Sequence, residues 1–359
     1  MAIIDNPVVV GGGGGGTVDE TSALKYMLEH KTNYAGIAAG LTNLTELPTF
    51  TQPSGITVYA YMFDSCTALV TSPTLTLPST GSHDFRYMFR GCTGLTTFPN
   101  ISLARASDIT YMYSGCTNIS GGISYQKTAN YCSANNAFQN CTGITSFVIT
   151  GTGGKFNSCA TMFQRCSNIT TITMPVGTAT AQAQSVRFNS MCTSCSKLQS
   201  VTFNTSGDTE LRCGGLSQAF QSCPKLVSVN CSININISEC TTIQNAFRGC
   251  SLLTTIPTFT KTYNVTDFSY AFNNCAALVN LQQFDMSGAT SATSLQNFVS
   301  GCTSLSNTSL NNILASLATW GGSSNKTLKY IGLTSAQATT CTNLSNWSAL
   351  SAAGWTTGY

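Results

Sequence analysis

An α/β solenoid of about ten helix–strand rungs, with a parallel sheet on one face and a cap at each end, is the fold this sequence predicts. Three observations carry it. Ten times an apolar residue is followed three positions later by Cys, and three after that by Leu or Ile, the cysteines being Cys66, Cys92, Cys116, Cys141, Cys166, Cys195, Cys223, Cys250, Cys275 and Cys302, spaced 24 to 29 residues apart. A period of that length marks stacked supersecondary units. Before each Cys the apolar residues follow one helical face, and after it they alternate as in a strand.

At the N-terminus, residues 1–16 read as a tail ending in a linker, because Gly11 to Gly16 are six consecutive glycines, the residue that loses most entropy on ordering. Residues 17–48 read as an N-terminal helical cap. Thr17-Val18-Asp19-Glu20 has capping-box spacing, and Ala23, Leu24, Met27 and Leu28 follow at helical intervals.

Residues 49–305 are the solenoid. Phe85, Met88 and Phe89 precede Cys92, and Ile109, Met112 and Tyr113 precede Cys116. Leu216, Ala219 and Phe220 stand before Cys223, and Phe268, Ala271 and Phe272 before Cys275. These i, i+3, i+4, i+7 stripes predict a helix of about two turns in each repeat. After the cysteines, Ile144-Thr145-Ser146-Phe147-Val148-Ile149, Ile169 to Met174, Leu198 to Phe203 and Leu226 to Cys231 predict short strands with one buried face.

Residues 306–359 read as the C-terminal cap. Leu310, Ile313, Leu314 and Leu317 form a helical stripe, and residues 321–324 a turn. Residues 328–333 are expected to form a strand, 347–353 a helix ended by Gly354, and 355–357 a last strand.

Only 8% of the residues are charged and the net charge is +3, against about 25% charged in a typical soluble domain. No Lys/Arg cluster is present, so the chain lacks the electrostatic footprint of a nucleic-acid binder. No apolar run is long enough for a membrane helix. Met1 to Pro7 have neither a basic nor an apolar signal-peptide region, so no secretory signal is expected. The seventeen cysteines read as a buried column of small hydrophobes, although rungs about 4.8 Å apart would also allow disulfides.

The Phe-x-x-Cys-x-x-Leu-x-x-φ-x-φ pattern, with Tyr61-Met62-Phe63-Asp64-Ser65-Cys66 and Tyr87-Met88-Phe89-Arg90-Gly91-Cys92 as its clearest cores, resembles the BspA-like leucine-rich repeats, in their Met-Phe-x-x-Cys branch. The match covers about residues 50 to 305. Cys192 and Val299 replace the Phe of the sixth and tenth copies, and the first and third strands are irregular. The resemblance implies a leucine-rich-repeat-like fold. The family occurs in bacterial surface adhesins, protist surface proteins and phage-encoded proteins.

The residues offer no catalytic constellation. Cys192-Thr193-Ser194-Cys195 lacks the second pair of a zinc site and falls on the core stripe. His30 and His83 read as polar surface residues, without a nucleophile or carboxylate partner. Gly11 to Thr17 lacks the lysine of a phosphate loop. The chain is therefore expected to be non-enzymatic, with no cofactor and no metal site. The outward strand positions form the candidate binding column: Ser146, Thr171, Thr173, Ser200, Thr202, Ser228, Asn230, Asn280 and Gln282, neutral and hydroxyl-rich. The expected role is that of a bacteriophage virion component, a fibre, decorating or receptor-binding subunit, held to other virion proteins through residues 1–16, with Ile3, Ile4 and Pro7 as the anchor. The alternative is a bacterial cell-surface adhesin that binds host protein or glycan.

Overall fold

The computed structural model describes residues 20–71, 75–126, 128, 131–150, 154–177, 185–205 and 209–359. Ile3, Ile4, Pro7, the glycine run and Thr17 lie outside them. A first helix, α1 (Glu20–His30), occupies the expected place in the N-terminal cap. It buries Leu24 and Leu28 on the end of the core, and the Tyr34 hydroxyl donates to the Leu28 carbonyl at 2.7 Å.

The apolar stripes are buried as the sequence predicts, but they are not helices. Phe85, Met88, Phe89 and Cys92 are all fully buried, yet the segment is a run of tight turns. The N–H groups of Tyr59, Tyr61, Phe63 and Ser65 donate to the carbonyls of Asp84, Arg86, Met88 and Arg90 in the next rung, at 2.7–2.8 Å. The intervening N–H groups of Met62, Asp64 and Cys66 close four-residue turns onto the carbonyls of Tyr59, Tyr61 and Phe63 at 3.1 Å. The same alternation recurs along the chain.

Two left-handed residues four apart produce each run, for example Tyr61 and Ser65 with φ of 60° and 63°, and Tyr87 and Gly91 with 59° and 70°. A two-turn segment rich in Ser, Asn and aromatics cannot sustain an α-helix alone. Here half its donors gain partners in the neighbouring rung instead.

The ladder begins before the first Cys repeat. Tyr34, Gly36, Ala38 and Gly40 donate to Val58, Ala60, Met62 and Asp64 at 2.7–3.0 Å. Residues 34–41 of the expected cap are thus a rung in their own right, with Leu41 where Cys would stand.

On one side of the turn ladder run short parallel strands: β1 (His83–Asp84), β2 (Ala106–Asp108), β4 (Cys132–Ser133) and β6 (Phe156–Ser158) in one sheet. A second sheet joins β8 (Val186–Arg187), β10 (Leu211–Gly215), β12 (Ile235–Asn236) and β13 (Phe259–Thr260). After the cysteines comes the predicted parallel sheet, ordered β3 (Ser120–Gln126), β5 (Gly143–Thr150), β7 (Thr171–Pro175), β9 (Ser200–Asn204) and β11 (Ser228–Cys231).

Two columns fill the core. Phe63, Phe89, Tyr113, Phe138 and Phe163 stack ring on ring at 5.3–5.6 Å. The stack lapses at Cys192 and resumes through Phe220, Phe247 and Phe272 at 5.3–5.5 Å. Beside it runs the sulfur column. Cys92 donates its thiol to the Phe63 carbonyl at 2.9 Å, Cys116 to Phe89, Cys141 to Tyr113 and Cys166 to Phe138, each at 3.0 Å. Cys195, Cys223, Cys250, Cys275 and Cys302 repeat the contact at 3.0–3.1 Å. Cysteine suits this position because it is small and apolar yet carries a weak donor for a carbonyl the turn leaves half-used.

All seventeen thiols are free, and only Cys231 is not fully buried. Burial pushes the Cys66 thiol up to about 12 and Cys192 to about 11, so neither supplies a thiolate near neutral pH. A thiol reagent should therefore label Cys231 first in the folded chain, and the other sixteen only after denaturation. Rapid labelling of the column without unfolding would refute its burial.

His83 departs from its expected surface position. It lies in β1, 2% exposed, edge-on to the stacked rings of Tyr59 and Phe85. Neither ring nitrogen makes a hydrogen bond. Burial, then the nearby Arg105 charge, lowers its pKa, with the Pro78 backbone pulling weakly the other way. The unfolded chain then binds the proton more readily, so stability should fall as pH drops below about 6.5, the unperturbed histidine value. Urea midpoints measured across that range should flatten in His83→Phe.

The C-terminal cap contains α2 (Asn307–Ala318), α3 (Ser335–Cys341) and α4 (Trp347–Ala352). The first and last stand where the sequence predicts them, and Gly354 ends α4 at φ +90°. The expected strand at 328–333 is instead a turn run, tied by Leu328 and Lys329 N–H to the carbonyls of Thr356 and Thr357 at 3.0 and 3.1 Å. In place of a final strand at 355–357 there is a single bridge, Thr327 to Thr356.

Candidate recognition surface

The five-stranded sheet positions most of the predicted column. Ser146, Thr171, Ser200 and Ser228 are register partners on four neighbouring strands, and Thr173, Thr202 and Asn230 form a second row, continued by Val148. Alternation explains the arrangement: Phe147, Ile172, Val201 and Val229 between them point into the core. Each row is thus a line of small polar groups about 4.8 Å apart.

Asn280 and Gln282 do not belong to this sheet. Helix α2 takes the place of the strand that would follow theirs. The Gln282 amide is occupied by Phe259, accepting from its N–H at 2.8 Å and donating to its carbonyl at 2.6 Å. Asn280 is exposed outside any strand.

The second row runs into a shallow groove of about 670 Å³ at the β11 edge, lined by Thr173, Thr202, Asn230, Ser232, Thr255 and Thr258, with Phe203 and Ile256 as apolar floor. Its cause is local. Ser228 bridges to Thr255, and Thr254 N–H reaches the Val227 carbonyl at 3.0 Å. Pro257 then brings no N–H to the ladder, the rung diverges, and the sheet ends. Asn204, Ser232 and residues 255–258 were not among the predicted site residues. The signal was present as Thr254-Thr255-Ile256-Pro257, a proline where the repeat expects an alternating strand.

Among the described residues, no charged side chain lines the groove. The ion pairs lie elsewhere: Arg90 with Asp64 at 2.6 Å and Arg86 with Asp84 at 2.8 Å in the turn runs, and Lys261 with Glu210 at 3.4 Å. The polar groups of the groove keep open valences. Asn230 donates to the Ser228 hydroxyl at 3.2 Å and Ser232 shares a 3.0 Å bond with Thr205. Burial raises the Cys231 thiol, which the Ile233 backbone and Thr205 only partly offset. The groove thus offers neutral donors and acceptors over an apolar floor.

Rungs stacked in parallel, a repeated Phe-x-x-Cys-x-x-Leu and an outward hydroxyl-bearing strand face define a leucine-rich-repeat solenoid. The family model "BspA type Leucine rich repeat region" matches in six copies over residues 41–170, 109–210 and 134–237, and the chain belongs to that family. A second model, "Mycoplasma protein of unknown function", matches residues 214–347. No curated protein matches. Among solved structures, a leucine-rich repeat protein from Bacteroides ovatus is similar at 17% identity and TM-score 0.33, over 76% of this chain and 74% of that one. A TLR13–ssRNA13 complex is similar at 14% identity and TM-score 0.19, over 76% of this chain and 54% of the other.

Proposed function

We propose that the chain is a non-enzymatic recognition protein whose strand face, from β5 to β11, binds a neutral, hydroxyl-rich ligand, a glycan. The observation that carries this reading is the pair of registered Ser/Thr/Asn rows, the second of which ends in a groove with an apolar floor and no charged side chain among the described residues. Sugars present hydroxyls along their edges and C–H groups on their faces. Such a surface meets both, and repetition along the solenoid accumulates weak contacts.

Binding of the full chain to an array of neutral and acidic glycans tests the reading. Neutral glycans should be retained, and Thr202→Arg with Asn230→Arg should weaken retention by at least about tenfold, near 1.4 kcal/mol. Binding confined to acidic glycans, or unchanged in the double variant, would refute it.

The finer assignment is to a bacteriophage virion, with residues 1–16 attached to other virion proteins through Ile3, Ile4 and Pro7. On a bacterial surface the same face would serve an adhesin. Mass spectrometry of purified particles against cell-envelope fractions distinguishes the two locations.

A further inference from the structure

The opposite edge of the same sheet has a different character. Strand β3 pairs with β5 on one side only. On its other side it bridges to the preceding rung once, at Thr97 with Ser120, where the Ser120 N–H reaches the Thr96 carbonyl at 3.0 Å. Beyond that point the preceding rung turns away through Phe98-Pro99-Asn100. Among the described residues, no backbone hydrogen bond joins Gly121 to Ser124 with that rung. The next contact is Thr128 N–H to the Ala104 carbonyl at 3.2 Å. The opening is a groove of about 330 Å³, walled by Phe98, Pro99, Ile101 and Tyr113 on one side and by Gly122 to Ser124 on the other.

We infer that this edge accepts an extended, uncharged peptide segment of a partner protein, which adds a strand beside β3 and places an apolar side chain in the groove. The main-chain donors and acceptors that, among the described residues, find no partner in the preceding rung specify the occupant, since another extended backbone meets them at the spacing of a strand. The edge carries none of the usual defences: Ser120, Gly121, Gly122 and Ser124 are small, exposed and uncharged. A Cβ at Gly122 would lie 2.3 Å from the Ser146 hydroxyl of β5 and would force that hydroxyl to turn aside. The glycine leaves an approach to the edge free of side chains. Every described residue that lines the groove is neutral, so a charged partner side chain there would lose its hydration without gaining a counter-ion among them. The site is separate from the β11 groove and takes a different class of partner.

The test uses the full chain and three capped hexapeptides: alternating Val and Thr, the same peptide N-methylated at every second residue, and a version with Lys in place of Val. Hydrogen exchange with and without each peptide locates the contact. The Val/Thr peptide should bind saturably and slow exchange at Gly121 to Ser124. The N-methylated and Lys peptides should each bind at least about tenfold more weakly. Equal binding of the N-methylated peptide would overturn the inference, as would protection at residues 255–258 instead. So would amides at 121–124 that are already protected in the chain alone, because a second copy or another segment of the chain would then hold the edge.

Discussion

Phe138→Ala should destabilise the solenoid by about 3–5 kcal/mol, the usual cost of removing a fully buried phenylalanine from a core that cannot collapse around the loss. Phe138 is fully buried. It stacks between Tyr113 and Phe163 at 5.6 Å on either side and meets Phe147 and Phe98 edge-on at 5.4 and 6.2 Å. Its carbonyl accepts from Cys141 N–H at 3.0 Å and from the Cys166 thiol at 3.0 Å. Groups from three rungs therefore converge on this residue, and the turns held between neighbours leave little room for inward relaxation. Because rungs contact only their neighbours, the damage should be local in space but global in cooperativity. Urea unfolding followed by circular dichroism should change from one transition toward two as the halves uncouple. Thr142→Ala, an exposed position in the same rung whose hydroxyl donates to the Thr117 carbonyl at 3.2 Å, should stay within about 0.5 kcal/mol. A loss below about 1 kcal/mol for Phe138→Ala would show that the ring column does not bind the rungs together.

The repeat period, the buried stripe and the register of the strand rows were legible because each depends on which side chains face inward, and the hydrophobic pattern records that directly. Conformation within the stripe was not legible from apolar spacing, since a helix and a chain of inter-rung turns can bury the same i, i+3, i+4, i+7 set. The discriminating signal lay in other positions. Gly91, Gly115, Gly249 and Gly301 each immediately precede the repeat cysteine, and all four have positive φ, which an α-helix interior does not accommodate. His83 was misplaced because a lone histidine carries no periodicity, and only the packing of Tyr59 and Phe85 around it reveals its burial. The Leu-x-x-φ spacing of the repeat continues through Leu278 and Leu281 and so predicts a strand for Asn280 and Gln282. No sequence pattern before residue 306 announces that a helix, rather than another strand, comes next.

That helix supports the other large effect. Where the solenoid ends, the last strand-like segment would leave its outer N–H groups without a ladder, and α2 satisfies them with side chains. Ser309 accepts from Leu281 N–H at 2.8 Å and donates to the Val279 carbonyl at 2.8 Å. Ser316 accepts from Phe284 N–H at 2.8 Å, Thr319 from Met286 N–H at 2.7 Å, and Asn312 donates to the Leu281 carbonyl at 2.9 Å. Residues 309, 312, 316 and 319 recur at three to four positions, so one stripe of the helix acts as the missing strand while Leu310, Ile313, Leu314 and Leu317 close the core. Removing the hydroxyls together, in Ser309→Ala, Ser316→Ala and Thr319→Val, orphans three N–H groups on buried residues. Each orphan costs about 1–3 kcal/mol, so the triple variant should lose about 3–9 kcal/mol while keeping the apolar stripe intact. Ser351→Ala, an exposed hydroxyl on α4, is the control. Hydrogen exchange should show the amides of Leu281, Phe284 and Met286 protected in the parent and first to exchange in the triple variant. If they stay protected, or the midpoint of unfolding moves no more than in the control, the apolar stripe alone seals the end and the hydroxyls are incidental.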